Sequence, residues 1–268
     1  CLNDQSRCDE PPLHNAASRK PADVVQVLVD AKAALDVQTR FTYTPLHDAA
    51  YSGHSGIGQV LVDAKASLDI RLNNGQAPLH IAAEGGDCEF VQVLVAAKAN
   101  LDVQNSQGET PLHRAYYSDQ CLQVLVDAKA NVHVQDSTGR TPLHFAARSG
   151  DSDCVQVLLD AKASVDVQNN DGCTPLHLAA EEGNSDIVQM LVDAKASLDA
   201  QESEGYTPMH CAAENGHSGA VQVLVDVKAS LDVQDKDGCT PMHWAAASGH
   251  IRIVQVLVDA EASLDVQD

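Results

Sequence analysis

Residues 174–177 read Thr-Pro-Leu-His, and this tetrapeptide or a close variant of it occurs eight times along the chain. The histidine that ends each copy lies 33 residues after the previous one, except for a single interval of 31 residues. These histidines are His14, His47, His80, His113, His144, His177, His210 and His243. A fixed period of this length indicates one small unit copied in tandem, each copy burying its apolar face against its neighbours. The period therefore predicts a stacked array, and it favours a binding surface as the basis of function.

Composition and charge narrow the class of partner. The 268 residues are only 3% aromatic, which suits thin stacked layers better than one large core. The formal net charge is −21, from 38 acidic and 17 basic residues. Nucleic acid and anionic membrane surfaces both reward positive charge, so neither is expected as a partner. The sequence contains no apolar run of about 18 residues, so no membrane insertion is expected, and a protein with a basic surface is the predicted partner.

One copy, residues 235–267, shows how the repeat is built. Residues 235–238 have turn composition, with a glycine that can take positive φ. Thr240 is a typical helix N-cap, and Pro241 suits the first helical position because its missing N–H costs nothing there. A short helix should end before Gly249, and the apolar spacing over about 251–260 predicts a second helix. Each copy is therefore predicted to run turn, helix, helix, return.

This pattern resembles the ankyrin repeat, and the resemblance covers residues 6–267. It implies an all-α fold: a single ankyrin-repeat solenoid across residues 1–268, built from eight helix-turn-helix repeats with projecting hairpin-like fingers. The predicted repeats are 6–38, 39–71, 72–104, 105–135, 136–168, 169–201, 202–234 and 235–267. In this family the fingers and the first helices form a concave surface that binds proteins. The resemblance thus implies protein binding and no catalysis.

The residue that follows each second helix departs from the family pattern, which usually has a left-handed glycine there. The chain has lysine seven times and Glu261 in the last copy. The lysines are Lys32, Lys65, Lys98, Lys129, Lys162, Lys195 and Lys228. A non-glycine residue in this conformation should cost about 1 kcal/mol. Because an aspartate lies two residues before almost every lysine, we interpret the row as solvated and not as an anion site.

Three parts of the array are irregular. Repeats 1 and 2 have Asp9 and Thr42 where later copies have the turn glycine. Repeat 4 is two residues short, and alignment places the loss in the turn between its helices, beside the bulky Tyr116. The last second helix keeps the internal apolar pattern, so further chain or a partner is expected to cover it.

No constellation for catalysis, metal or cofactor emerges. Equivalent histidines should lie roughly 10 Å apart, which is too far to share a metal ion bound at about 2 Å. The family resemblance implies a structural role, in which each ring bonds to its own threonine and to adjacent backbone. The sequence contains no nucleophile elbow, P-loop or dinucleotide fingerprint. We therefore predict no catalytic residue, no metal site and no cofactor.

The eight cysteines are predicted to be reduced. No CxxC pair occurs, and Cys121 and Cys154 hold the same core position in adjacent repeats. That equivalence places them roughly 8–10 Å apart. A disulfide needs Cα atoms within about 7 Å. Reduced thiols predict an intracellular, reducing compartment.

Positions that vary between copies are the candidates for partner binding, because repetition shows which positions packing controls. They lie in the fingers, just after the histidine and at the end of the first helix. In repeats 4 and 5 they hold Arg114, Tyr117, Arg140, Phe145 and Arg148, and Arg and Tyr are enriched at interface hot spots. The alternative is that Phe145 packs internally and the arginines only neutralise neighbouring acids.

Two further groups occupy the same positions. Repeats 6 and 7 hold Glu181, Glu182 and Glu214, predicted to steer a basic partner unless they are an ordinary solvated face. Repeats 1 and 2 hold a second aromatic-basic group. Its members are Arg40, Phe41, Tyr43 and Tyr51. Trp244 shares a position with Ile81 and Leu178 and is predicted to be mostly core.

These observations predict a non-enzymatic scaffold for protein–protein interaction. One alternative is a structural subunit built into a larger multiprotein assembly. Another is a targeting module of a longer enzyme, channel or adaptor. Sequence beyond Cys1 and Asp268 would distinguish them best.

Overall fold

A computed structural model describes residues 11–19 and 21–264. Over these residues the chain forms sixteen α-helices and no β-strand, and each repeat contributes one pair of helices. The predicted all-α fold is thereby confirmed. The chain divides into two compact units, Cys1–Ser137 and Thr138–Asp268.

The first unit contains four helix pairs. They are α1 (Pro12–Ala17), α2 (Ala22–Asp30), α3 (Pro45–Tyr51), α4 (Ser55–Asp63), α5 (Pro78–Glu84), α6 (Cys88–Ala96), α7 (Pro111–Arg114) and α8 (Asp119–Asp127). The first helices α1, α3, α5 and α7 pack in one row, and the second helices α2, α4, α6 and α8 in another.

The second unit repeats this plan. Its helices are α9 (Pro142–Ser149), α10 (Ser152–Asp160), α11 (Pro175–Glu181), α12 (Ser185–Asp193), α13 (Pro208–Glu214), α14 (Ser218–Asp226), α15 (Pro241–Ala247) and α16 (Ile251–Asp259). Each first helix packs on the next first helix, and each second helix packs on the next second helix.

The helix ends follow from the sequence. In most repeats a threonine in extended conformation precedes the proline that starts the first helix; at α3, the Thr44 Oγ1 accepts the His47 amide at 3.4 Å. Each second helix is followed by one cap residue with negative φ, an alanine in most repeats, and then by a residue in left-handed conformation. In seven repeats the left-handed residue is the lysine named above, with φ from 61° at Lys32 to 72° at Lys129. Lysine therefore keeps the left-handed geometry that the family usually gives to glycine.

The core is a thin layer between the two rows of helices. Leu79 and Ala82 from a first helix and Leu94 from a second helix are fully buried. Phe90 is also fully buried, and it fits because a glycine faces it: a Cβ added at Gly58 would lie 2.7 Å from the ring. Truncating such a core side chain costs about 2–5 kcal/mol, so these positions tolerate little variation.

Neighbouring repeats are also joined by hydrogen bonds. The carboxylate of Asp36 accepts the amide of Ser67 at 2.9 Å, and the same contact recurs in both units. Between fingers, the Ser106 amide donates to the Asn74 carbonyl at 2.9 Å. Backbone groups at the fingers are thus satisfied by the adjacent copy, which fixes where finger side chains can point.

The shortened fourth repeat loses its residues from a helix. Helix α7 has four residues where α5 has seven. The connection that follows is not shortened, since it spans residues 115–118 where the corresponding one spans 85–87. The prediction that the deletion falls in the turn between the helices was wrong. Half-buried Tyr116 occupies the new connection, because the helix that would have held an alanine there has already ended.

The cysteine prediction was wrong for one pair. Cys88 and Cys121 form a disulfide, with their Cα atoms 4.7 Å apart. Cys121 is fully buried, as its core position predicted, but its partner is at the first residue of α6 and not at the equivalent core position. The spacing argument compared equivalent positions only, so it overlooked this diagonal contact. Cys154, Cys173, Cys211 and Cys239 form no disulfide within the described residues, and Cys1 and Cys8 lie outside them.

The last helix leaves apolar side chains in solvent. Ile251 is 83% exposed and Val258 is 40% exposed. The pattern in the sequence anticipated such a face, and its covering by further chain or a partner stays a prediction.

Candidate protein-binding surface

The histidine of each tetrapeptide ties its own repeat to the next. In the sixth repeat the Thr174 amide donates to His177 Nδ1 at 3.1 Å, so the proton is on Nε2, which donates to the Tyr206 carbonyl at 3.0 Å. His47, His80, His144 and His210 make the corresponding two bonds. His14 differs, because proline replaces its threonine: its Nδ1 lies 2.5 Å from Asp48. We call this row of histidines the histidine ladder, and its predicted structural role is confirmed.

Burial keeps these imidazoles neutral. It lowers the pKa of His47 to about 4 and also lowers that of His80, His177 and His210. Both ring nitrogens are already engaged in the structure. Among the described residues no group of three or more His, Cys, Asp or Glu side chains is arranged to hold a metal ion. The ladder therefore positions the fingers.

We use the term finger face for the side of each unit formed by its fingers and first helices. In repeats 1 and 2 the predicted group lies on this face. The Arg40 guanidinium lies 4.7 Å from the Phe41 ring centroid, and Phe41 is 58% exposed. Tyr43 packs edge-on against His47 at 6.0 Å. Burial is the main cause that raises the pKa of Tyr43, and Tyr51 and Asp48 add to the shift.

Arg114 is held by two carboxylates. Its Nη2 donates to Glu84 Oε1, and its Nη1 lies 3.4 Å from Glu109 Oε2. Burial acts to lower the pKa of Arg114, but Glu84 and Glu109 raise it overall. Its Nε is buried and has no hydrogen-bond partner among the described residues. The arginine therefore pairs with two neighbouring acids, and these contacts hold its side chain in place.

Tyr117 lies in the connection that follows α7 and is 69% exposed. Its ring centroid is 4.1 Å from that of Tyr116. Burial and a hydrogen bond to Tyr117 raise the pKa of Tyr116 to about 12. The two rings form an aromatic projection from the first unit.

The other predicted anchors belong to the second unit. The Arg140 guanidinium lies 4.5 Å from the centroid of half-buried Phe145. Arg148 Nε donates to Glu182 Oε1 at 3.0 Å, and the Arg148 side chain remains 55% exposed. The predicted arginine-aromatic cluster thus falls into two groups, one in each unit.

Some of the glutamates in repeats 6 and 7 form contacts within the chain, and others do not. Glu182 pairs with Arg148. Glu202 Oε1 accepts the amides of Glu204 and Tyr206, at 2.8 and 2.9 Å, and so shapes its own finger. Glu181 is exposed and Glu214 half-buried, and neither forms an ion pair within residues 21–264.

Sequence reasoning missed an aromatic pair on the finger face of the second unit. Trp244, expected in the core, is only half-buried, and its ring centroid lies 5.4 Å from that of Tyr206. The signal available was that both residues occupy variable positions, Tyr206 in a finger and Trp244 directly after the histidine of the next repeat. Large aromatics at two such positions in adjacent repeats can meet.

Known proteins share this fold of stacked helix pairs. A family model described as ankyrin repeats, in sets of three copies, matches residues 1–71, 59–136, 115–202 and 194–268. The chain belongs to the ankyrin-repeat family.

Among solved structures, a match is the ankyrin repeat domain of Bcl-3, described as a unique member of the IkappaB protein family. It is 27% identical, with a TM-score of 0.71, over 81% of this chain and 98% of that chain. No curated protein sequence matches the chain. The ankyrin-repeat fold makes this chain a protein-interaction module of a kind that is typically non-enzymatic. Within the described residues, none of the helices has both the length and the apolar character needed to cross a membrane.

Proposed function

We propose that this chain is a non-enzymatic scaffold that binds protein partners on its finger face, and that the partner presents a basic surface. The proposal rests on one observation. Four residues after the histidine, at the end of the first helix or, in repeat 4, just after it, large side chains stay in solvent: Tyr51 is 76% exposed, Tyr117 69%, and the Arg148 side chain 55%. In α3, Ala49, two residues before Tyr51, is fully buried. Packing does not account for the choice of residue at the exposed position, whereas contact with a partner does.

The proposed anchors are Arg114 and Tyr117 in the first unit and Arg140 and Arg148 in the second. Three of them are already oriented by neighbours: Arg114 by Glu84, Arg140 by the Phe145 ring and Arg148 by Glu182. A side chain held before binding loses less conformational entropy on binding. The contacts that occupy these arginines therefore also prepare them.

The basic character of the partner is inferred from charge. The chain carries a net charge of −21, and Glu181 and Glu214 lie on the finger face without an ion pair among the described residues. Such groups mainly accelerate association with a cationic surface. Glu181→Lys should slow association and reduce its dependence on salt, while changing the dissociation rate little.

Site-specific photo-cross-linking tests the assignment of faces. A photoreactive phenylalanine analogue would replace Tyr51 or Tyr117 on the finger face and, as matched controls, the exposed Gln123 or Gln189 on second helices. We expect partner adducts from the two tyrosine positions only. Adducts from the glutamine positions, with none from the tyrosines, would overturn the proposal.

An anchor truncation gives a quantitative test. Arg148→Ala should weaken partner binding by roughly 2 kcal/mol if the guanidinium is desolvated in the complex. Lys162→Ala, at a left-handed cap, is the control and should leave the affinity unchanged. Equal effects of the two variants would contradict the proposal. A permanent assembly subunit or a targeting module would use the same face, and a partner dissociation time of days or of seconds would separate these roles.

An intracellular location is part of the proposal. It is supported by Cys173 and Cys211, which form no disulfide within the described residues. The Cys88–Cys121 disulfide is the observation against it, since disulfides persist mainly in oxidising compartments. Localisation of a tagged full-length protein decides the matter.

A further inference from the structure

The second unit presents two aromatic rings side by side on its finger face. The Tyr206 and Trp244 ring centroids lie 5.4 Å apart, with their planes tilted by 38°. Both side chains are half-buried, so part of each ring is open to solvent. Tyr206 comes from a finger and Trp244 from α15, so the pair spans two successive repeats.

Each ring is held in place by a contact with a neighbouring side chain. The Trp244 indole N–H donates to Asp235 Oδ2 at 2.8 Å. The other oxygen of Asp235 accepts the amides of Asp237 and Cys239, both at 2.9 Å, so this carboxylate is part of the finger turn. Tyr206 packs edge-on against the ladder residue His210 at 5.6 Å. A partner group that contacts these rings meets a surface that needs little ordering.

The surroundings of the rings are acidic. Burial, followed by Glu214, Asp235 and Asp237, raises the pKa of Tyr206 to about 12. The finger that contains Asp235 also carries a lysine, Lys236, whose Nζ lies 3.9 Å from Glu204 Oε1. The pair is therefore an aromatic patch in a field of negative charge.

The negative field extends along the face to the preceding repeats. Burial and then Glu202, Glu181 and Asp171 raise the pKa of the Cys173 thiol to about 11. Burial also raises the pKa of Cys211, with Cys173 and Glu181 adding to the shift.

Aromatic faces attract cations, and do so most strongly over tryptophan. An arginine guanidinium is planar, stacks on such rings and can at the same time donate a fork of hydrogen bonds to a carboxylate. A lysine ammonium is a more strongly hydrated point charge and gains less from this combination. The tilted rings supply the stacking surface. Candidate carboxylates are Asp237, in the turn whose Asp235 holds Trp244, and Glu214, at the end of the helix whose His210 contacts Tyr206.

We propose that Tyr206 and Trp244 form a subsite that takes an arginine side chain from a basic segment of the partner, with the guanidinium stacked on the rings and paired with a rim carboxylate. This deepens the proposed function and rests on it. The subsite assigns to one place on the second unit the charge complementarity that was inferred above for the whole face.

Trp244 is the single tryptophan of the chain, so its fluorescence reports on this subsite directly. The intact protein would be titrated with three labelled peptides of the form (Gly-Ser-X)₄, in which X is arginine, lysine or the neutral isostere citrulline. We expect a saturable change in Trp244 emission with the arginine peptide, binding about fivefold weaker with lysine, and no saturation with citrulline. An unchanged emission while peptide anisotropy shows binding would place the cation elsewhere and overturn the proposal. Equal affinity for the arginine and lysine peptides would also overturn it.

The repeats themselves supply conservative variants. Trp244→Leu installs the residue found at the equivalent Leu178, and Tyr206→Gln installs the one found at Gln76. Each should retain the thermal unfolding transition and weaken arginine-peptide binding, measured by anisotropy, about five- to tenfold. The control Tyr51→Gln in the first unit should not change it. Unchanged binding in both folded variants refutes the subsite.

The same variants separate this inference from the proposed function. If the natural partner cross-links to Tyr117 but binds Tyr206→Gln and Trp244→Leu as tightly as the wild type, the arginine subsite is wrong and the scaffold proposal stands. If finger-face cross-links are absent altogether, the scaffold proposal itself fails.

Discussion

Most repeats contain three residues with left-handed backbone, in the finger, between the two helices and after the second helix, and the first and the last of these differ in whether they require glycine. In the third repeat, Gly75 in the finger has φ +79°, and Lys98 after the second helix has φ +67°. A Cβ at Gly75 would lie 2.5 Å from the Ser106 backbone nitrogen in the next finger, whereas the Lys98 side chain is exposed. Backbone conformation alone does not require glycine at either place. The neighbouring repeat requires it at the finger.

The finger of repeat 2 is an instructive exception. Thr42 takes the glycine position with φ +66°, and its Oγ1 accepts the Asn73 amide at 3.0 Å. A hydroxyl thus makes the contact that a backbone carbonyl makes between the later fingers. A β-branched residue in this region is strained, and the hydrogen bond offsets part of the strain.

The largest effect should come from adding a methyl group at the finger. Gly75→Ala should lower the free energy of unfolding by about 3 kcal/mol, since left-handed strain adds to a clash with immovable backbone. Gly249→Ala is the matched control, because it has φ +74° but nothing within 4 Å of the added Cβ, and should cost only about 1 kcal/mol. Urea unfolding measures both. Equal losses would show that backbone conformation, and not the neighbour, decides the residue.

Acid should weaken the hydrogen bond between His47 and the Gln76 carbonyl of the next finger. The pKa of His47 is lowered from 6.5 to about 4 in the folded chain, so the neutral ring favours folding. Its contribution is fully present above pH 6.5 and is lost as the pH falls towards 4, with roughly 2 kcal/mol gone by pH 5. Unfolding curves for the wild type and His47→Gln, measured from pH 7 to 4.5, should converge by that amount. Parallel curves would contradict the buried, neutral histidine.

Glycine at the left-handed position after a second helix should raise the free energy of unfolding. Lys98→Gly removes left-handed strain of about 1–2 kcal/mol but adds backbone entropy to the unfolded chain. The net expectation is a gain of about 0.5–1 kcal/mol in the free energy of unfolding. Lys98→Ala, which keeps a Cβ, is the control and should give no such gain. A loss of stability in Lys98→Gly would mean that the lysine side chains stabilise the caps by contacts of their own.

The smallest effect is expected at Thr42. Thr42→Gly relieves strain but removes the Oγ1 hydrogen bond, and the two terms should cancel to within about 0.5 kcal/mol. Thr42→Val keeps the branching without the acceptor and should be clearly destabilised. A large gain from Thr42→Gly would show that the bond to Asn73 contributes little.

The repeated tetrapeptide by itself determined the helix pairs and the threonine–histidine ladder, because each depends on contacts at a fixed spacing in the sequence. It could also separate positions that packing controls from positions that vary.

Only the tertiary structure decided which side chains contact each other across non-equivalent positions of adjacent repeats. The Cys88–Cys121 disulfide, the pairing of Arg114 with Glu84 and the Tyr206–Trp244 stack all join different positions of adjacent repeats. The shortening of α7 belongs with them, since only packing could settle whether a helix or a turn gave up the residues. Repetition in a sequence fixes the distance between like positions, and the diagonal contacts depend on the offset and tilt of one helix pair against the next.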